Sequence, residues 1–501
     1  GRSGRVRLSL WVAAIGARGL ARSVTTRWSG SGQAMRDPDC PPPILYPQRW
    51  VQLGFLAMLA LLSDLVCFSV AATPQTWENV FGEDPATLID IFLFTNVAAC
   101  LLEPWAIKKF GLRIPIVAAA FLMAAGCALR SGVPFVGELP GYSTVVAGTM
   151  MVAVAQPFFQ CTPPLLSATW FAQDERALST AVAINFNQVG IAAAFLLGGE
   201  LARTAPGLQE YFGIITVAAV VVAFGALVGF REKPPTPPSA SEAEKELEAA
   251  SSAGKDEPSF PEQASALLQT PGFLPPLFAF VISIAVTNVV GAFMELKLER
   301  SGITDQSVID LSGAGFELAI VIGGIIFGSY VDRTKEYKSV TIACLVATLA
   351  AVLLFGFGQT PLAVVILALL AIGLFAGPVQ PINAELAVEV TYPADENAIE
   401  AVQQLCGNLV SALLVPLCGW ALKNVDLKSS VPWADKPDGV QGDTVLLMAL
   451  VLLVSVYFTT FNAPLRRTEV DEENCVVSDS MDMDDAPVWG LDAAPRGASP
   501  A

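Results

Sequence analysis

Twelve apolar stretches of membrane-spanning length run along the chain, at roughly 50–72, 86–107, 114–130, 143–170, 177–201, 208–230, 273–297, 311–331, 339–358, 361–390, 399–422 and 443–462. A helix needs about 20 mostly apolar residues to cross the hydrocarbon core. Lipid offers no water to the backbone, and a helix pairs its N–H and C=O groups within the segment. The expected fold class is therefore an all-α, multi-pass membrane protein with 12 transmembrane helices. Composition agrees, since 53% of the 501 residues are hydrophobic and 15% are charged. A soluble domain carries about a quarter charged residues.

One phrase is written twice. "FAQDERALSTA" begins at Phe171, and "YPADENAIEA" begins at Tyr392. Phe171, Asp174, Glu175 and Ala177 reappear as Tyr392, Asp395, Glu396 and Ala398, each 221 residues on. The same offset carries Asn187 to Asn408, and Gly111 of "KKFGLR" to Asp332 of "DRTKEYK". One offset thus lays six spans over the next six. Six crossings return the chain to the same side, so the repeat is parallel. Two parallel six-helix bundles joined by a long polar loop are the layout of the major facilitator fold.

The expected divisions are an N-terminal bundle over 44–230, an acidic linker over 231–271, a C-terminal bundle over 272–463 and an acidic tail over 464–501. Linker and tail carry −10 of the net charge of −17. Segments so polar bury too little apolar surface to fold, so both are expected to be disordered. Residues 1–43 are expected to be disordered or an upstream extension of the reading frame. The first 34 hold six Arg and no acid, as a transit peptide does, but a start at Met35 is the preferred reading. Lys108, Lys109, Arg113, Arg333, Lys335, Lys338, Arg466 and Arg467 fall on one side, which the positive-inside rule makes cytoplasmic. Termini and linker then lie inside.

The two acidic connectors lie on that side as well. Asp174 and Glu175 precede the fifth span, and Asp395 and Glu396 precede the eleventh, where the positive end of a helix dipole favours acids. Two readings stand side by side. The acids cap their helices, or they form an inner gate with Arg176, Lys109, Arg113, Arg333 or Lys335, to which Asp332 also belongs.

Several longer pieces are more specific. "RW" at 49–50, "KKFGLR" at 108–113, "WFAQDERALSTAVAINFNQVGIAAAFLLGG" at 170–199, "GSYVDRTKEYK" at 328–338 and "ELAVEVTYPADE" at 385–396 together resemble the feline leukaemia virus subgroup C receptor-related family of major facilitator carriers. The resemblance covers nearly all of 44–467 outside the linker. It implies a carrier of choline and ethanolamine, haem or pyridoxine, working by alternating access. In choline-type members, it further implies a cation site made of a Trp, a Tyr and two Gln. The glutamines match Gln188 and Gln404, whereas the Trp position falls on or near Cys67 and the Tyr position on Met294.

The residues add their own candidates. Asp64 stands near the middle of the first span, where an unpaired carboxylate costs several kcal/mol, so it pairs, protonates or binds a cation. Gln156 and Gln160 in the fourth span, and Gln380 and Asn383 in the tenth, lie among prolines that bend helices and are expected to line a cavity. Asn187 and Asn408 read as helix-to-helix contacts, and Glu103 as a local ion pair with Lys108. The chain has no histidine, the commonest metal and haem ligand. No cofactor is expected, no nucleic-acid partner and no enzymatic activity. A monomer in the bilayer, in the plasma or an organelle membrane, that moves a small organic solute is the leading reading. A receptor that kept the fold and lost transport is the alternative.

Overall fold

The computed structural model describes residues 44–70, 73–83, 85–132, 138–251, 258–303, 305–357, 361–427 and 440–472. The expected N-terminal extension and most of the tail lie outside the described residues. The first half runs through α1 (Arg49–Cys67), α2 (Pro74–Phe81), α3 (Pro85–Ala99), α4 (Glu103–Phe110), α5 (Arg113–Ser131), α6 (Tyr142–Ala155), α7 (Pro157–Gln160), α8 (Pro163–Trp170), α9 (Arg176–Leu201) and α10 (Ala205–Gly229). The connection holds α11 (Ala240–Ser251) and α12 (Phe260–Gln269). The second half runs through α13 (Leu274–Arg300), α14 (Gln306–Thr334), α15 (Tyr337–Gly356), α16 (Leu362–Ala376), α17 (Val379–Thr391), α18 (Glu396–Asn424) and α19 (Gly442–Thr459). A two-residue strand pair, β1 (Asp426–Leu427) with β2 (Val440–Gln441), precedes α19.

Among the described residues, 11 helices or broken helices are long and apolar enough to cross a bilayer, and α3 with α4, bent by 47°, supplies a twelfth. The breaks have a chemical cause. Proline lacks the N–H that would continue the ladder, and its ring collides with the carbonyl four residues back. Pro104 opens α4, Pro157 and Pro163 break the fourth span, and Pro378 breaks the tenth. The fourth and tenth spans break at matching points: α6 ends at Ala155 and α16 at Ala376, while α8 ends at Trp170 and α17 at Thr391. The 221-residue offset read from polar connectors therefore also governs where helices stop.

Buried apolar side chains gather into one core from Leu53 to Phe230 and another from Ala279 to Phe461, the latter including Ala177 of α9. Between the halves, α9 packs closely on α14. Small residues permit the approach: a Cβ built on Gly328 would lie 3.1 Å from the Ala177 carbonyl.

The connection departs from the disorder expected of it. Ser259 and Glu262 close a capping box on α12, which satisfies donors at the helix start. Leu267 then seals a small apolar cluster with Phe273, Ile399 and Val402. Residues 466–472 are helical too, and Arg467 is 1% exposed. Composition failed here because several charged groups find partners in the folded halves: Glu232 accepts from the Leu112 and Arg113 backbone N–H groups, Lys245 pairs with Glu396, and Asp471 pairs with Arg176.

Candidate functional site

A cavity of about 740 Å³, counted with the solvent at its mouth, lies between the halves. In the first span the residues that reach it are Ala60, Asp64 and Phe68, one helical turn apart. Gln156, Phe159 and Gln160 come from the broken fourth span, Gln188 from α9, Thr287 and Asn288 from α13, Gln380 from α17, and Gln404 and Asn408 from α18. Its wall holds one carboxylate, nine carboxamides and no Lys or Arg.

Asp64 is 5% exposed. Gln156 Nε2 donates to its Oδ1 at 3.0 Å, and its Oδ2 has no hydrogen-bond partner among the described residues. Asn96 Nδ2 in turn donates to Gln156 Oε1 at 2.7 Å, and Asn408 Nδ2 reaches Asn96 Oδ1 at 3.4 Å. A chain of amides thus runs from the carboxylate of the first half to the eleventh span in the second. Gln404 Nε2 donates to Glu400 Oε1 at 2.9 Å.

Six expected wall residues, Asp64, Gln156, Gln160, Gln188, Gln380 and Gln404, come together here. Three do not. Cys67 is buried in the core of the first half, because the cavity-facing position of that turn is Phe68. Met294, two turns outward of Thr287, is buried against Gly313 of α14. Asn383 is fully buried and donates to Thr341 Oγ1 at 3.2 Å and to the Val379 carbonyl at 2.8 Å. Asn187 and Asn408, read as contacts between helices, also line the cavity, Asn408 while making such a contact to Asn96, and Asn96, Phe68 and Phe159 escaped notice. A register one residue off on a helix turns a side chain by about 100°, which is what separates Cys67 from Phe68 at the end of α1.

The profile of the Major Facilitator Superfamily matches residues 53–415. The chain belongs to the Major Facilitator Superfamily. It is 29% identical over 378 residues to Solute carrier family 49 member A3 of Xenopus tropicalis, covering 73% of this chain and 76% of that protein. It is 24% identical over 398 residues to Choline/ethanolamine transporter FLVCR2 of Homo sapiens, covering 76% and 70%. The crystal structure of the major facilitator FucP in its outward conformation shares the fold, with a TM-score of 0.61 at 14% identity over 82% of this chain and 99% of that one. The expected carrier fold, the resemblance and the role of multi-pass membrane transporter stand together on these matches.

In this major facilitator the polar contacts between halves gather on the face of the basic connectors. Asp332 at the end of α14 accepts from the backbone N–H groups of Ala177 and Leu178, at 2.8 and 2.7 Å. An acid from one half thereby caps the first turn of α9 in the other. Lys335 Nζ donates to the Gln173 carbonyl at 2.8 Å, and Thr180 donates to Glu385. Glu103, expected to pair with Lys108, instead points inward and accepts from Asn397 Nδ2 at 3.1 Å, while Lys108 donates to the Pro258 carbonyl.

The doubled connector proves asymmetric. Asp395 caps α18 through the Asn397 N–H at 3.1 Å, and burial beside Glu396 pushes its carboxyl up. Glu175 pairs with Arg49 at 3.0 Å, whereas Glu396 meets Lys245 of α11 and lies 3.8 Å from Arg467. Burial alone would lower the Arg467 pKa, but Glu396, Glu385 and Glu389 raise it and keep the guanidinium charged. Arg176 does not meet a connector acid at all: it pairs with Asp471 of the tail at 3.0 Å and donates to Ser239 at 2.6 Å. Lys109 lies over the rings of Trp105 and Phe110, and Arg113 donates to the Phe230 and Leu227 carbonyls at the end of α10. Neither reaches the other half through these bonds. Asp174 and Arg333 are exposed.

Proposed function

We infer that this transporter carries a small organic cation or weak base, such as an amine, through the cavity at Asp64. The observation that carries this reading is a buried carboxylate with one unpartnered oxygen in a cavity without a basic side chain. A cationic solute supplies the missing counter-charge. The carboxamides of Gln188 and Gln404 orient its hydroxyl or amino groups, and Phe68 offers an aromatic face that attracts ammonium ions. The aromatic surface absent at Cys67 is thus supplied one residue on. Choline and ethanolamine, which the names of several relatives record, fit this chemistry. A polar cavity between two repeat-related bundles favours a carrier over a transport-inactive receptor.

The basic face is cytoplasmic on the positive-inside argument, so the described conformation is shut toward the cytoplasm. The gate consists of Asp332 of α14 against the start of α9, Glu103 with Asn397, and the tail held by Arg176 and Asp471. Uptake into proteoliposomes across choline, ethanolamine, simple primary amines and pyridoxine tests the solute class. Accumulation of neutral or anionic solutes alone would overturn it.

Phe68→Ala is expected to weaken choline about three- to thirtyfold, the equivalent of roughly 0.5–2 kcal/mol for one aromatic face, while Cys67→Ser changes affinity little. Competition binding to purified protein in detergent separates the two. Asp471→Asn is expected to speed opening toward the cytoplasm with the dissociation constant for solute unchanged, because Asp471 touches Arg176 and Ser241 but not the cavity. Solute counterflow at saturating concentration reads this rate.

A further inference from the structure

We propose that Glu103 and Glu400 form a proton-binding site below the cavity, filled while the halves are shut on the basic face and emptied when they part. The two carboxyls come from opposite halves, and both residues are 0% exposed. Glu103 Oε2 accepts from Asn397, and Glu400 Oε1 accepts from Gln404. Glu103 Oε1 and Glu400 Oε2 have no hydrogen-bond partner among the described residues. Glu400 stands one helical turn along α18 from Asn397, the residue that donates to Glu103, so the two carboxyls are neighbours across the halves. The titratable groups that face them are Cys100 at the end of α3, Cys161 between α7 and α8, Asp395 before α18 and Glu385 of α17. All are acids or thiols. The neighbouring cations are engaged elsewhere: Lys245 on Glu396, Arg467 between Glu396 and Glu385, and Lys108 on the Pro258 carbonyl with Asp395 in electrostatic range.

Two neighbouring buried carboxyls without a counter-ion cannot both ionise in a dry interior. A proton on Glu103 Oε1 and one on Glu400 Oε2 remove that conflict. When the halves separate, water reaches both groups, each O–H bond breaks, the protons pass to water, and hydrated carboxylates remain. Closure needs them back. The internal repeat argues that packing alone did not put acids here, because the positions related by 221 residues are Gly324 and Ser179. Gln404, which lines the cavity and holds Glu400, joins the proton site to the solute site. The proposal rests on alternating access and not on the identity of the solute.

Fluorophores clicked onto azidophenylalanine at exposed Phe110 and Ser339 report separation of the halves by energy transfer, in full-length protein in nanodiscs without solute. From about pH 5 to about pH 9, the ratio of closed to open protein is expected to fall by up to tenfold per pH unit for each proton released. Glu103→Gln with Glu400→Gln, which mimics the protonated pair, is expected to stay closed across the range, while Asp64→Asn keeps the pH dependence. A flat profile in the parent protein, or an unchanged profile in the double variant, overturns the proposal. Loss of the dependence in Asp64→Asn alone assigns the proton to the cavity and overturns it equally. None of these readouts depends on which solute is carried.

Discussion

Asp64→Asn is expected to reduce the uptake of organic cations into proteoliposomes about a hundredfold or more, the largest effect of any single change in the cavity. The substitution preserves shape and can keep the contact with Gln156, but it deletes the one charge that faces the solute. Removing one partner of a buried ion pair costs about 3–5 kcal/mol, and each 1.4 kcal/mol is about a factor of ten in binding. The loss is expected to appear in affinity, and to be greater for permanently charged choline than for an amine that can enter neutral. Thermal stability measured alongside should hold or rise, because an unpaired buried carboxylate is itself a burden on the fold. Choline uptake at the parent level in Asp64→Asn would mean that the cation is held elsewhere.

The second large effect is expected at the gate. Asp332→Ala removes two charge-assisted hydrogen bonds to the N–H groups of Ala177 and Leu178, and with them the acid that faces the positive end of α9. Bonds of this kind contribute about 1.5–3 kcal/mol each, part of which water restores once the gate is open. A net loss of about 2–4 kcal/mol shifts the ratio of closed to open protein by roughly thirty- to a thousandfold. The closed conformation then ceases to dominate, and a solute that must be loaded in it is moved slowly. Turnover should fall while equilibrium binding, measured with both faces accessible in detergent, stays within about threefold. A variant with intact turnover and lost affinity would place Asp332 in the solute site.

The same carboxylate illustrates how a contact between the halves can be legible and still misread. Asp332 stood out because it occupies the repeat position of Gly111 in a basic connector, and its membership of a gate was expected. Its partner was not. A bond to backbone N–H groups leaves no side-chain signature in sequence, so reasoning from complementary charges pointed to Lys or Arg instead. Arg176 was likewise expected to meet a connector acid. It meets Asp471, almost 300 residues on, because α11 and the tail fold back over the start of α9.

Periodicity and spacing determined most of the architecture by themselves. Apolar length fixes the number of crossings because lipid leaves the backbone no partner but itself. A constant offset fixes the parallel repeat because equivalent helices need equivalent connectors and breaks, as Ala155 and Ala376 show. The amide-rich wall was legible in part, since Gln156, Gln188, Gln380 and Gln404 are polar where lipid or core would demand apolar side chains. Only the tertiary structure decided which face of each helix turns inward. Phe68 rather than Cys67 meets the cavity, Asn383 serves the packing of its own half, and Glu103 turns from Lys108 toward Asn397 of the other half. The physical reason is that burial and pairing are properties of helix rotation and of neighbours distant in sequence. A hydropathy pattern constrains the first only loosely in a helix apolar on all sides, and says nothing of the second.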